Sequence, residues 1–177
     1  AEQKNGAAMN KTSREVDSGQ VLSRKGQRIA GFIQCMKAVC HRPKRVRCEV
    51  ERLGCFVPRG AVVCDIGANF GYFSKEFARL NGGSVAVYAF EPVSYNYRIL
   101  TKATKSYQNI VREKLALSNT GGEGVITIPI KESGKIGPAL AHFGGERTRE
   151  FITETVSTMT LDDYVREKHF SRLDLVK

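Results

Sequence analysis

From residue 61 the chain alternates short apolar runs with helix-forming stretches, and this alternation constrains the fold more than any bulk property. AVVCDI (61–66) has no polar alternation, as a strand covered on both faces should. YFSKEFARL (72–80) places Phe73, Phe77 and Leu80 on one helical face, and NGG (81–83) ends it. SVAVYAF (84–90) predicts a second buried strand, SYNYRILTKAT (94–104) a helix and VREKLALS (111–118) a third strand. This β-α-β-α-β order implies an α/β fold, a Rossmann-like parallel sheet with helices on both faces.

The flanking stretches are less regular. NTGGEG (119–124) is a turn into VITIPI (125–130), a further strand, and the glycine- and charge-rich residues 131–152 predict a long loop over one end of the sheet. TETVSTM (153–159) alternates as a sheet-edge strand does. Thr160 with Asp163 three residues on predicts a capped helix entry over 160–170, so Asp162 and Asp163 are helix-start residues rather than a catalytic pair. RLDLVK (172–177) opens another buried strand. Upstream, residues 1–20 read as a loose tail, and 21–41 as one amphipathic helix with Val21, Ile29, Phe32, Ile33, Met36 and Val39 at helical intervals. Pro43 in HRPKRVR then breaks that helix. The expected division is a basic arm with one helix over 1–48 and an α/β portion over 49–177.

A chain of 177 residues suits one domain with a real core. Residues 1–60 hold thirteen Lys/Arg against five Asp/Glu, so +8 of the net +10 lies there. Such an arm suits nucleic acid, an acidic membrane face or plain solvation. No apolar stretch approaches the ~18 residues that span a bilayer; the nearest, IAGFIQCMKAVC (29–40), is short and carries Gln34 and Lys37. No secretory start is visible. The five cysteines (Cys35, Cys40, Cys48, Cys55 and Cys64) are odd in number and match no zinc spacing. Reduced thiols and a cytoplasmic location are expected, with no metal and with Cys64 as a small core residue.

The chemistry concentrates in DIGANFG (65–71). Asp65 falls at the carboxyl end of the first strand, where open parallel sheets bind ligands. Gly67 and Gly71 let the backbone approach a ligand, and Asn69 between them tolerates the left-handed region. The helix that follows turns backbone N–H groups toward the same place. An acid here repels a pyrophosphate but welcomes an ammonium or a sulfonium, and S-adenosylmethionine offers both. Glu91 ends the second strand 24 residues after Gly67, the placement of an acid that bonds the ribose hydroxyls of an adenosine. Pro92 fixes the backbone beside it. A nicotinamide dinucleotide asks for G-x-G-x-x-G, which does not occur; a dinucleotide site and a turn without ligand are the alternatives.

VVCDIGANFGYFSKEFARL, VYAFEPVSYNYRILT, NIVREKLALSN and VSTMTLDDYV with LDLVK resemble the FkbM-type methyltransferases, in that order, over residues 49–177. The resemblance implies the class I methyltransferase fold, S-adenosylmethionine as cofactor, and O-methylation of a hydroxyl on a small molecule or glycan. It implies that Asp65, Gly67, Asn69 and Gly71 line the methionine end of the cofactor, that Phe90, Glu91 and Pro92 form the second motif with Glu91 on the ribose, and that Leu117 and Ser118 lie near the adenine. In the family the strand opened by LDLVK continues into an Asp-Val-Glu-Gly motif near the reacting centre. The chain is therefore expected to be the N-terminal part of such a domain, with any general base elsewhere. Among its own histidines, His142 in the long loop is the candidate, ahead of His41 and His169. Two alternatives stay open: a nucleic-acid methyltransferase using the arm, and a remnant without activity.

Overall fold

The computed structural model describes residues 24–130, 141–143 and 151–177, with backbone alone for 24–30 and 143. The tail expected over 1–20 and most of the loop expected over 131–152 lie outside these residues. The elements are α1 (Arg24–Cys40), α2 (Lys44–Gly54), β1 (Val62–Ile66), α3 (Tyr72–Arg79), a short 3₁₀ turn (Leu80–Gly82), β2 (Ala86–Phe90), α4 (Ser94–Ala103) and β3 (Ile110–Glu113). They continue as β4 (Ala116–Leu117), β5 (Gly122–Pro129), β6 (His142–Phe143), β7 (Phe151–Met159), α5 (Leu161–Glu167) and β8 (Leu175–Val176).

The α/β fold is present as a parallel sheet in the order β3-β2-β1-β8. The inner strands β1 and β2 read as apolar runs because both faces are covered, whereas Val111 of β3 and Val176 of β8 are exposed, so β8 is not the buried strand expected. Val63, Val87 and Ala89 pack with Phe77 of α3 and Leu100 of α4. The residues between them, Cys64, Tyr88 and Phe90, pack with Tyr164 of α5 on the other side. Burial pushes the Cys64 thiol up to about 11, with the Asp65 carboxylate adding to the shift, as befits a core residue. The strand opened by RLDLVK joins beside β1, where the Asp174 carboxylate accepts the Val62 N–H at 2.8 Å and Asp174 N–H donates to the Val62 carbonyl at 2.9 Å. Thr160 caps α5, its Oγ accepting from Asp163 N–H at 3.0 Å, which gives Asp163 the helix-start role read from the sequence.

Three further expectations need correction. The single third strand over 111–118 is two strands: β3 stays in the parallel sheet, and β4 leaves it for a second sheet of order β4-β7-β5-β6. Ala116 there joins Ile126, Ile128 and Val156 in a separate apolar cluster, and its burial draws the chain away after Glu113. The 153–159 segment is not an edge strand, since β7 pairs parallel to β4 on one side and antiparallel to β5 on the other. Its Glu154 accepts the Ser94 N–H at 3.0 Å, placing a carboxylate at the start of α4, where the helix dipole favours it.

The third correction concerns the arm. Pro43 breaks α1 but also serves as N-cap of α2, which continues across positions 48 and 49 and buries Val50 in the main core. α1 lies along α4, with Ala38 against Ile99 and Ala103. Two buried charges of α3 hold this arrangement. Lys75 donates to the carbonyls of Ala38, Val39 and His41, the bare carbonyl end of α1. Glu76 takes both Nε (2.8 Å) and Nη2 (2.6 Å) of Arg42 and Nη1 of Arg79 (2.9 Å). Burial raises the Glu76 carboxyl, but the Arg42 hydrogen bond and the surrounding cations outweigh it and hold it below its usual range. Burial, with Arg79 nearby, lowers Lys75.

Candidate functional site

A cleft of about 360 Å³ opens at the carboxyl end of β1. One wall is the turn itself, Gly67 to Phe70, continued by Tyr72 and Phe73 of α3. Lys177, Gln34 of α1 and Val46 of α2 complete the lining. The size falls within the usual ~300–1,000 Å³ of small-molecule sites. The arm thus forms part of the cleft, which no spacing in the sequence announces.

The turn has the backbone its residue types require. Gly67, Asn69 and Gly71 all have positive φ, at 67°, 53° and 79°. Gly71 is needed twice over, because a Cβ there would stand 2.7 Å from Leu100 Cδ1. At Gly67 a Cβ would meet nothing within 4 Å, so its requirement is conformational and its face is open.

Asp65 is fully buried beneath this turn. Its Oδ2 accepts from Ser74 Oγ at 2.5 Å. Its Oδ1 stands 2.9 Å from Lys177 Nζ, an ion pair by distance, yet makes no hydrogen bond. Asn69 Oδ1 is likewise buried without a hydrogen-bond partner. Asn69 Oδ1 is therefore left with capacity and Asp65 Oδ1 is met by a single ammonium, whereas buried acceptors are rarely left unfilled in folded proteins.

Glu91 lies next to them and is differently placed. Its Oε2 accepts Asn69 N–H at 2.8 Å, and its Oε1 accepts Val93 N–H at 3.0 Å and Asn96 Nδ2 at 3.1 Å. Burial pushes its carboxyl above the usual range, against the pull of those three bonds. Glu91 is first of all the latch that holds the turn to β2, with about one of a carboxylate's four acceptor positions left over. The latch is doubled by the Phe90 carbonyl, which accepts Ala68 N–H at 2.8 Å.

The remaining sequence-predicted residues spread out. The Phe90 ring faces away from the turn, 4.8 Å from the ring of Tyr164. Pro92 is half-buried at the start of the loop into α4. Leu117 packs in the Tyr164 cluster, and Ser118 donates its N–H to the Met159 carbonyl in the second sheet. His142 lies in β6 at the edge of that sheet, which contributes nothing to the cleft lining. His41 is closer than the sequence suggested, its ring edge-on to Tyr72 at 6.3 Å. His169 follows α5.

No curated protein matches the chain. Among solved structures, M. jannaschii TYW2 in complex with AdoMet aligns at 17% identity and a TM-score of 0.32, over 51% of this chain and 57% of that one. A Listeria monocytogenes protein assigned as an S-adenosylmethionine dependent methyltransferase aligns at 14% identity and 0.29, over 69% of this chain and 78% of that one. At these scores neither likeness carries an argument, and the chain spans little more than half the length of the first. Residues 65–177, well over half the chain and beginning at the buried aspartate of the turn, match the methyltransferase FkbM domain; the chain belongs to this family of S-adenosylmethionine-dependent methyltransferases.

Proposed function

We propose that the parallel-sheet portion of the chain, with α1 and α2 packed against it, forms the cofactor-binding part of an O-methyltransferase acting on a hydroxyl of a small molecule or glycan. The observation that carries the reading is a pair of buried acceptors under a left-handed turn at the mouth of a parallel strand: Asn69 Oδ1, without a hydrogen bond among the described residues, and Asp65 Oδ1, met only by the Lys177 ammonium at 2.9 Å. These groups fit the amino-acid end of S-adenosylmethionine, whose ammonium supplies the hydrogen bonds they lack. The remaining acceptor position of Glu91 fits a ribose hydroxyl. Phe90, Pro92, Leu117 and Ser118 act in this reading through the backbone and the packing around that end of the site.

When bound, S-adenosylmethionine supplies an electrophilic methyl on a sulfonium. The chain's own contribution is alignment: the rigid turn, latched by Glu91, holds one reactant so that an acceptor oxygen meets it in line. Such orientation is worth roughly 7–11 kcal/mol over free reactants. Aromatic faces in the cleft lining already meet cations, Phe73 with Lys177 Nζ 4.6 Å from its ring centre and Tyr72 with Lys75 Nζ at 5.6 Å. The described lining contains no histidine or carboxylate, which leaves the general base unassigned.

Calorimetric titration of the 177-residue chain with S-adenosylmethionine and S-adenosylhomocysteine tests the reading. Saturable binding of both is expected. A folded chain that gives no heat at millimolar ligand would favour a remnant instead. A nucleic-acid acceptor would be indicated by tight RNA binding that weakens steeply with salt.

A further inference from the structure

The apolar stripe of α1 predicts a helix face turned into a core, and the structure turns it outward. Phe32 is 67% exposed, Ile33 and Met36 each 49% and Val39 45%. Residues 32, 36 and 39 succeed one another at helical steps with 33 beside them, so the four form one contiguous surface. The opposite side of the helix is occupied: Ala38 is sealed against α4, and a Cβ placed on Gly31 would meet the Tyr95 ring at 3.8 Å. α1 is therefore fixed in place and cannot roll its apolar side inward. A patch of this kind on a folded chain marks an interaction surface.

Charge identifies the partner. Lys37 is exposed at the margin of the stripe, and Arg42, Lys44, Arg45 and Arg47 are exposed just beyond the helix end. The first five residues of α1 add Arg24, Lys25 and Arg28 to the sequence, and no acidic residue occurs between Arg24 and Arg47. An apolar ridge with Lys37, Lys44 and Arg45 beside it, Arg42 and Arg47 being paired with Glu76 and Glu51, is unsuited to nucleic acid, which offers phosphates but nothing to cover Phe32 and Met36. It matches the boundary of an anionic bilayer, where apolar side chains enter the acyl region and Lys/Arg meet the headgroups. We propose that the outer face of α1 docks this protein peripherally on anionic membrane surfaces.

Co-sedimentation of the full 177-residue chain with extruded vesicles tests this. Binding is expected to vesicles containing about one-third phosphatidylserine and not to pure phosphatidylcholine, and it should weaken as salt is raised. The double substitution Phe32→Ser with Met36→Ser removes surface side chains only, so the fold should persist by circular dichroism. Its vesicle affinity should fall at least about tenfold. Lys44→Glu with Arg45→Glu should produce a similar loss, comparable to that of the wild type in high salt. Failure of the folded wild type to bind anionic vesicles would overturn the proposal, as would vesicle binding indifferent to the Ser pair. A dimer by light scattering that dissociates in the Ser pair would also overturn it, assigning the face to a second copy.

Discussion

Ser74, Lys75 and Glu76 are successive polar residues of α3, all buried, and they serve two different regions. Ser74 bonds Asp65 beneath the glycine turn, where the other Asp65 oxygen makes no hydrogen bond and is met only by the Lys177 ammonium. Lys75 and Glu76 face the arm, where three carbonyls surround the ammonium and three guanidinium N–H contacts fill the carboxylate. Burial of charge is equal in the two regions, so burial alone does not mark a site. The distinction lies in saturation. A charged group whose hydrogen bonds are filled by protein is a fastening, and one left with capacity points to a ligand.

The comparison can be broken most forcefully at the joint between the regions. Gly71→Val places a β-branched residue at φ 79° and a Cβ 2.7 Å from Leu100 Cδ1. A loss of roughly 3–4 kcal/mol is expected from strain and overpacking together, read by urea unfolding. Asp65→Asn should separate function from stability: S-adenosylhomocysteine affinity falls about 100-fold by calorimetry while the unfolding midpoint moves little. Lys75→Met should do the reverse. Three carbonyls lose their donor, and about 2 kcal/mol of stability should go with faster proteolytic cleavage within α1.

The smallest effect concerns acid. The native Glu76 carboxyl lies below its ordinary value of 4.5, so its contribution is complete above that pH and is lost as the pH falls through the lower native value. The native Glu91 carboxyl is raised, so acidification through its native value removes a penalty and adds stability. Unfolding free energies compared at pH 6 and pH 3.5 should therefore fall less for Glu76→Gln than for the wild type. Equal falls would show that Glu76 is not the acid-sensitive fastening.

How much of this was legible depends on whether the cause was local. The β1 turn was readable because an apolar run, an acid and positive-φ residues lie within ten positions of one another. The same holds for the α5 cap at Thr160 and for the start of β8. α2 was missed because Pro43 was read only as a stop, although Pro also suits helix starts and Val46, Val50 and Leu53 follow at four- and three-residue steps. The split of β3 from β4, and the inner place of β7, depend on which sheet buries Ala116, a tertiary matter. Gln34 and Val46 reach the cleft only because Lys75 and Glu76 dock the arm, and no periodicity carries that. The outward stripe of α1 was visible as a pattern, but its direction was not.

The pairing of β8 with β1 has a consequence for biosynthesis. Val62 waits for Asp174, 112 positions later, and Lys177 completes the cleft wall. Long-range closures are slow and come late. During translation the glycine turn leaves the ribosome well before β8, and the cleft wall is complete only once β8 has paired, so a nascent chain halted before residue 174 should be unable to retain cofactor.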